Sequence, residues 1–394
     1  MDKSFAKAMA QNHADILASL DKNKPVVLFA AGGTAGHINP ALSIAFELAK
    51  TQPDTQIVFC GRSDAIEAEL VGRAGFPFYW IEAIPFEYRS AKIFTAAVFA
   101  YFRGRRQCLE LIDQLPVKAV VGTGGYVCAP LMAAGKTQRL PRILHEQNAY
   151  PGKSTRSMSG GVACVCISFE NTRSYFKSAK KVLLTGNPIA PEFFEDTRAE
   201  ARERLGIIGK QRYVLATGGS LGSVTINHAT SDLAARLYRN PSSTPYKIHL
   251  VTGRKHYSEV KEQLEDFGDY LRLSDYVFDM HDQLAAADLV ICRAGAGTCA
   301  ELAAMGKPSI LVPYPHAKGD HQTKNAAALV DAGAALLVAD QDLSGMELRQ
   351  LLDDLFLNPS KLEAMAAAAK SLAKSEAASA IASEIVKAMG NKQS

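Results

Sequence analysis

The chain lacks any uncharged apolar run near the roughly 18 residues that a membrane-spanning helix needs. Its start, Met1-Asp-Lys-Ser-Phe-Ala-Lys7, lacks the basic-then-apolar order of a secretory signal. The working expectation is therefore a cytoplasmic protein. An excess of one charge is missing too: 44 Lys and Arg against 40 Asp and Glu leave a net +4, too weak to imply nucleic acid. The seven cysteines (Cys60, Cys108, Cys128, Cys164, Cys166, Cys292 and Cys299) form no CxxC pair and have no His-rich spacing around them. That pattern argues against zinc and for reduced core thiols. Tandem repeats and low-complexity tracts are absent.

What is present fits a soluble α/β protein of two domains. The chain has 394 residues, 47% of them hydrophobic and 21% charged, enough for two cores of ordinary size. Short apolar runs over 25–31, 56–60, 118–122, 142–145, 162–167 and 181–184 alternate with helical stretches such as 40–50 and 64–74. The pattern restarts at 212–217 and predicts strands near 247–251, 275–278, 288–292, 309–312 and 335–338. Such alternation predicts parallel sheets covered by helices on both faces. Gly186-Asn-Pro-Ile-Ala-Pro191 carries turn chemistry suited to a hinge. The division is an extension over 1–24, domains over 25–188 and 189–375, and a C-terminal helix over 376–394 that can pack back on the first domain. For 1–24, a docking helix and a disordered segment fit equally.

Each half opens on a glycine loop after a strand: Gly32-Gly33-Thr34-Ala35-Gly36-His37 and Gly218-Gly219-Ser220-Leu221-Gly222-Ser223. A strand-to-helix turn of this kind offers backbone N–H groups to a phosphate. The bland reading is a structural turn, with Asn39 and Pro40 as N-cap and first residue of the next helix. His37 stands at the helix mouth, where a neutral imidazole can take a proton from a bound alcohol; the alternative is a cap or surface group. In the second half, Cys292-Arg-Ala-Gly-Ala-Gly-Thr298-Cys-Ala-Glu301 joins a strand to a helix. Thr298 and Glu301 have capping-box spacing, while Glu301 also suits a ribose diol beside a helix N-terminus. Pro313-Tyr-Pro-His316 and Asp320-His-Gln-Thr-Lys-Asn325 form a dense polar loop, read as ligand contact. Gly122-Thr-Gly-Gly-Tyr126 and His145-Glu-Gln-Asn148 also follow strands, and so are placed on one rim with His37.

Two further stretches each have two readings. Arg89-Ser-Ala-Lys92-Ile93-Phe94-Thr-Ala-Ala-Val98-Phe99-Ala-Tyr-Phe102-Arg103-Gly-Arg105-Arg106 combines an apolar block with flanking cations. Ile93, Phe94, Ala97, Val98, Tyr101 and Phe102 fall on one helical stripe, which fits an interfacial membrane helix or a core helix with basic ends. Asp340-Gln-Asp342 has the spacing of a metal-binding DxD pair, but its place before Leu343-Ser-Gly reads as a helix cap. No catalytic metal is expected.

On these residues the chain resembles the MurG family, glycosyltransferases that add N-acetylglucosamine to lipid I. The resemblance rests on 32–40, 122–130, 145–148, 186–188, 218–222, 292–301 and 313–325 in that order. It implies the GT-B architecture, two Rossmann-like domains facing an interdomain cleft. It also implies an inverting, metal-independent transfer from UDP-GlcNAc to the MurNAc 4-hydroxyl of lipid I, giving lipid II, without a cofactor. Catalytic candidates are His37, Glu146 and Tyr126. Substrate contacts are implied for Thr34, Ala35, Gly36, His145, Asn148, Ala190, Ser220, Val277, Ala296, Gly297, Thr298, Cys299, Ala300, Glu301 and Gln322. Lys92, Ile93, Phe94, Val98, Phe99, Phe102, Arg103, Arg105 and Arg106 would meet an anionic membrane surface, placing the protein peripherally on the cytoplasmic face of the plasma membrane. Other cell-wall synthesis or division proteins are implied partners. The alternatives are a GT-B transferase for a glycerolipid and a non-catalytic UDP-sugar-binding scaffold at the membrane. Ala35, Ala190, Leu221 and Gly297 depart from the family's usual glycine, arginine, glutamine and leucine, which bears on donor affinity; His37 and Glu301 do not depart.

Overall fold

β1 (Val26–Ala30) is Val-Val-Leu-Phe-Ala and is buried along its whole length. A strand that shows no polar face must be covered on both sides, which is the situation in a parallel α/β sheet. The structure is a computed structural model and describes residues 3–86, 90–195, 197–207, 209, 211–240, 246–263 and 270–390. The chain divides into two compact units, Met1–Ile189 with Glu376–Ser394, and Ala190–Ser375.

In the first unit β1 is joined by β2 (Gln56–Gly61), β3 (Phe78–Trp80), β4 (Val117–Gly122), β5 (Arg142–Glu146), β6 (Cys164–Ile167) and β7 (Val182–Leu184). All seven strands are parallel, in the order β3-β2-β1-β4-β5-β6-β7. The second unit has β8 (Arg212–Thr217), β9 (Tyr246–Val251), β10 (Leu271–Ser274), β11 (Leu289–Cys292), β12 (Ser309–Leu311) and β13 (Ala335–Leu337). Its order is β10-β9-β8-β11-β12-β13, again parallel. In each sheet the winding reverses beside the first strand, between β1 and β4 and between β8 and β11. Ligands of doubly wound sheets bind beyond the strand ends at such a reversal. Both glycine loops leave the sheet there.

The helices that matter for the first unit are α1 (Lys3–Ser19), α2 (Ala35–Thr51), α3 (Ile66–Arg73), α4 (Ala91–Gln114) and α5 (Cys128–Thr137). α2 starts earlier than the Asn39-Pro40 signal suggests: its N-cap is Thr34, and Pro40 lies inside it. The cost is one missing bond, from position 40 to the Gly36 carbonyl. The gain is that His37 sits in the first turn. β3 carries too short an apolar run to stand out in the sequence. The strand expected over 275–278 lies instead at 271–274, because Tyr276 and Phe278 leave the sheet and pack on each other (4.9 Å) and under Arg254. The C-terminal helix Ala377–Gly390 places Ile381, Ala382 and Ile385 in one core cluster with Ile38, Ile44 and Leu48 of α2.

Residues 3–19 form a helix laid on the edge of the first sheet. Asn12 imitates a neighbouring strand: its Nδ2 donates to the Phe78 carbonyl (3.1 Å), and its Oδ1 accepts from the Trp80 N–H (3.0 Å). His13 stacks on Tyr79 at 3.8 Å. An open strand edge invites pairing with another chain, and α1 covers this one. Asn12→Ala leaves a backbone donor and acceptor of β3 without these partners, so unfolding free energy should drop by about 1–3 kcal/mol. Thermal melting compared with Gln11→Ala, a neighbouring exposed position, checks this.

Candidate active site

In the first unit, β1 runs into the loop 31–34 and then α2, while β4 runs into Thr123, Gly124, Gly125 and Tyr126. The two loops interlock. Gly125 (φ +86°) lies so close that a Cβ there would stand 2.1 Å from the Gly32 carbonyl oxygen. The Thr123 hydroxyl donates to the His37 carbonyl at 2.7 Å. His37 is half-buried, and its Nδ1 lies 3.4 Å from Gln147 Oε1. Thr34 and Gly36 are exposed beside it, and Ala35 is half-buried. Ala35 takes the first helical position of α2. Its methyl group therefore needs no positive φ, and the departure from glycine causes no backbone strain there. Tyr126 is half-buried and accepts from Arg62 Nη1 at 3.0 Å, while Arg62 is also held bidentately by Asp64.

Two of the expected rim residues are buried. Glu146 is 1% exposed and serves the loop that follows it. Oε1 accepts from the Asn148 N–H (3.0 Å) and side-chain Nδ2 (3.3 Å), and Oε2 accepts from the Gly152 N–H (3.0 Å). The carboxylate thus anchors the turn over 148–152. His145 is fully buried, with Nε2 3.1 Å from the Gly186 carbonyl. Burial lowers its pKa to about 4, so the ring is neutral and supports the turn at 186 from below. Asn148 stays at the surface, half-buried.

Glu67, in the first turn of α3, escaped sequence reasoning. It is 1% exposed, and burial raises its pKa while the N–H groups of Glu67, Gly33 and Arg62 oppose the rise. Its carboxyl lies under the first glycine loop: a Cβ on Gly32 would come within 2.9 Å of Oε1. Nothing in the local sequence signals this, because the contact joins residues 35 positions apart.

In the second unit, β8 leads to Ser220 and Leu221 at the exposed tip of the loop and then to Ser223, which caps the helix Val224–Arg239 by accepting from the Ile226 N–H. Leu221 is 80% exposed, so its side chain projects from the loop and does not pack beneath it. Arg293, just past β11, bridges the reversal point. It donates to Ser223 Oγ (2.7 Å) and to the carbonyls of Val312 and Pro313, and pairs with Asp340 at 2.5 Å. Asp340 also accepts from the Thr225 hydroxyl. The DxD pair thus supplies an ion-pair partner, and the cap of the following helix is Ser344, not an aspartate. Among the described residues no group of three or more His, Cys, Asp and Glu is placed to hold a metal.

The helix Ala296–Met305 has Gly295 as its N-cap, so Thr298 and Glu301 do not form a capping box. Thr298, Gly297 and Ala300 are half-buried and Ala296 is buried at the helix mouth. Cys299 turns its side chain, 3% exposed, into a core cluster. Glu301 is half-buried, and desolvation raises its carboxyl to about 7. A Cβ on Gly297 would lie 3.8 Å from Glu301 Oε1, so the missing leucine leaves space beside that carboxylate. Gln322 Oε1 accepts from the Tyr314 N–H (2.9 Å), tying the polar loop to the helix that follows it. Val277 is half-buried in the segment between β10 and the next helix, and Ala190, half-buried, opens the unit.

α4 separates its two readings. Ala97, Ala100, Gly104 and Cys108 face the core, while Phe99 is 64% and Phe102 57% exposed. The expected stripe is corrected: Ala97 turns inward, and the outward apolar face is Ile93, Phe99 and Phe102, with Phe86 packed on Phe94 and Tyr101. Val98 and Phe94 are half-buried; Lys92 is exposed. Arg103 pairs with Glu82, Arg106 with Glu110, and Arg105 donates to the Thr137 hydroxyl. Arg89 lies outside the described residues. No described helix is long and apolar enough to cross a membrane.

The family model for the glycosyltransferase family 28 N-terminal domain matches residues 27–167, and that for the family 28 C-terminal domain matches 213–383. A UDP-N-acetylglucosamine–N-acetylmuramyl-(pentapeptide) pyrophosphoryl-undecaprenol N-acetylglucosamine transferase of Caldanaerobacter subterraneus subsp. tengcongensis is 38% identical over 354 residues, 89% of this chain and 96% of the relative. A protein of the same name from Acetivibrio thermocellus is 37% identical over 93% of this chain and 99% of its own length. The crystal structure of Acinetobacter baumannii MurG is similar with a TM-score of 0.72 and 31% identity, covering 92% of this chain and 99% of that one.

Proposed function

The chain belongs to the MurG family of glycosyltransferase family 28 and has its GT-B fold, and we infer from this that it transfers N-acetylglucosamine from UDP-GlcNAc to lipid I, giving lipid II in peptidoglycan synthesis. The observation that carries the inference is identity spread over nearly the full length of transferases that bear this activity in their name. The site agrees with it: each unit presents a glycine loop and a helix N-terminus at the reversal of a parallel sheet, as a diphosphate-linked donor and acceptor require.

The step is a direct displacement with inversion. The MurNAc 4-hydroxyl attacks the anomeric carbon, its C–O bond forming as the bond to the UDP oxygen breaks and UDP leaves with the electron pair. His37 takes the hydroxyl proton. The second unit holds the donor, with Glu301 accepting from the ribose hydroxyls, Ser220 and the mouth of the helix Ala296–Met305 meeting the diphosphate, and the backbone at Val277 meeting the uracil. Loop N–H groups and helix N-termini stabilise the departing diphosphate in place of a metal. UDP release from UDP-GlcNAc with a short-chain lipid I analogue tests this. Release that needs the acceptor and survives EDTA supports the reading. Release only with a glycerolipid acceptor, or donor binding without release, replaces it with one of the alternatives.

The outward face of α4 seats the protein on the cytoplasmic leaflet, where its acceptor is anchored. Phe99 and Phe102 support this, since two aromatic rings left in water gain by burial and basic residues flank them. In flotation with vesicles containing anionic phospholipid, Phe99→Ser with Phe102→Ser should lower partitioning by about tenfold or more, the order expected for losing buried aromatic surface.

A further inference from the structure

Gln147 is 2% exposed, and Thr123 beside it is fully buried. The two residues close a circuit with His37. Gln147 Nε2 donates to the Thr123 carbonyl, the Thr123 hydroxyl donates to the His37 carbonyl at 2.7 Å, and Gln147 Oε1 faces His37 Nδ1 at 3.4 Å. The circuit links α2, the loop after β4 and the loop after β5. The orientation of the amide follows from chemistry: turned over, its oxygen would face the Thr123 carbonyl, two acceptors with no proton between them. The group presented to Nδ1 is therefore an oxygen, which can only accept. Gly124 (φ +115°) closes the same edge of the ring, since a Cβ there would stand 2.6 Å from Nδ1.

We propose that Gln147 is a positioning residue that holds His37 in the Nδ1–H tautomer, so that the lone pair lies on Nε2, the opposite edge of the ring. An imidazole nitrogen acts as a base only when it carries no proton, and the partner of the other nitrogen decides which one that is. The proposal rests on the reading of His37 as the base. Of the titratable groups described near the ring, His145, on β5 below, is neutral at working pH, and Glu146 turns its oxygens to Asn148 and Gly152. Tyr126, across Gly33, is bonded to Arg62.

The test is ¹⁵N NMR of the full-length protein labelled at histidine, with His37→Asn to assign the His37 signals. The expected spectrum has a protonated Nδ1 and an unprotonated Nε2, and in Gln147→Leu the ring redistributes toward Nε2–H. Turnover of Gln147→Leu should fall at least about tenfold, part of the 10²–10⁴-fold that general-base catalysis supplies, with the KM for UDP-GlcNAc unchanged. A native spectrum showing Nε2–H, or the same tautomer in Gln147→Leu, overturns the proposal. Should the leucine variant fail to fold, the native spectrum decides by itself, a protonated Nε2 counting against the proposal. The expected tautomer together with full turnover in His37→Ala would leave Gln147 as assigned and remove His37 as the base, so the two failures are distinguishable.

Discussion

His37→Ala should lower kcat by about 10²–10⁴-fold, the usual worth of a positioned general base, and leave donor binding almost unchanged. The split between the two constants follows from placement. The residues assigned to the donor's nucleoside lie in the second unit, on the helix Ala296–Met305 and near Val277, whereas His37 lies in the first turn of α2. An interaction that exists only while the proton moves appears in kcat and not in the ground-state affinity. Steady-state kinetics with a soluble lipid I analogue, alongside calorimetric titration with UDP-GlcNAc, separates the two. Turnover at the native rate would take His37 out of the mechanism.

Glu301 should show a different signature, confined to the donor. Desolvation raises its carboxyl to about 7, and on the proposed assignment only the ionised form would accept both ribose hydrogen bonds. Below pH 7 the competent fraction shrinks, so the apparent KM for UDP-GlcNAc rises by about tenfold per pH unit. Glu301→Gln removes the charge at every pH. Losing hydrogen bonds to a charged, half-buried acceptor costs about 1.5–3 kcal/mol, so its KM should be roughly 10- to 100-fold higher at pH 8. It should also be flat between pH 6 and 8. A native KM that does not vary across this range, or a glutamine variant that keeps the native slope, would show that Glu301 does not hold the ribose. Linkage runs the other way for stability. A folded pKa above the unfolded value means that the protein binds the proton more readily when folded, so this group's contribution is full below about 4.5 and lost by about 7 as pH rises. Donor binding, which favours the ionised form, should offset that loss.

The sequence by itself determined most of the strands and their parallel, helix-covered arrangement. Val26–Ala30, Arg212–Thr217 and Leu289–Cys292 are apolar throughout or nearly so, and strands buried on both faces have no other composition available. It also located both glycine loops, since a strand followed by Gly-Gly and a helix leaves its N–H groups at the sheet reversal whatever the rest of the chain does. Local chemistry misled where packing overrides it. Asn39-Pro40 reads as a helix start, yet Thr34 opens α2 because the interlock with Thr123 and Gly125 draws the preceding residues into its first turn.

Tertiary structure alone decided which polar residues are free to act. His145, Glu146, Gln147 and Asn148 are adjacent in sequence and equally polar, but successive residues at a strand end point in different directions. One is bonded under the turn at 186, one anchors the next loop, one faces His37 and one reaches the surface. Cys299 and Glu301 divide in the same way across two positions of one helix, the thiol turned into the core and the carboxyl left half-buried at its margin. Glu67 under Gly32, Arg293 on Asp340 and Asn12 on the β3 edge join residues distant in the chain. Periodicity and spacing report only on neighbours within a turn or a strand, so contacts of this kind appear only once the sheets are wound.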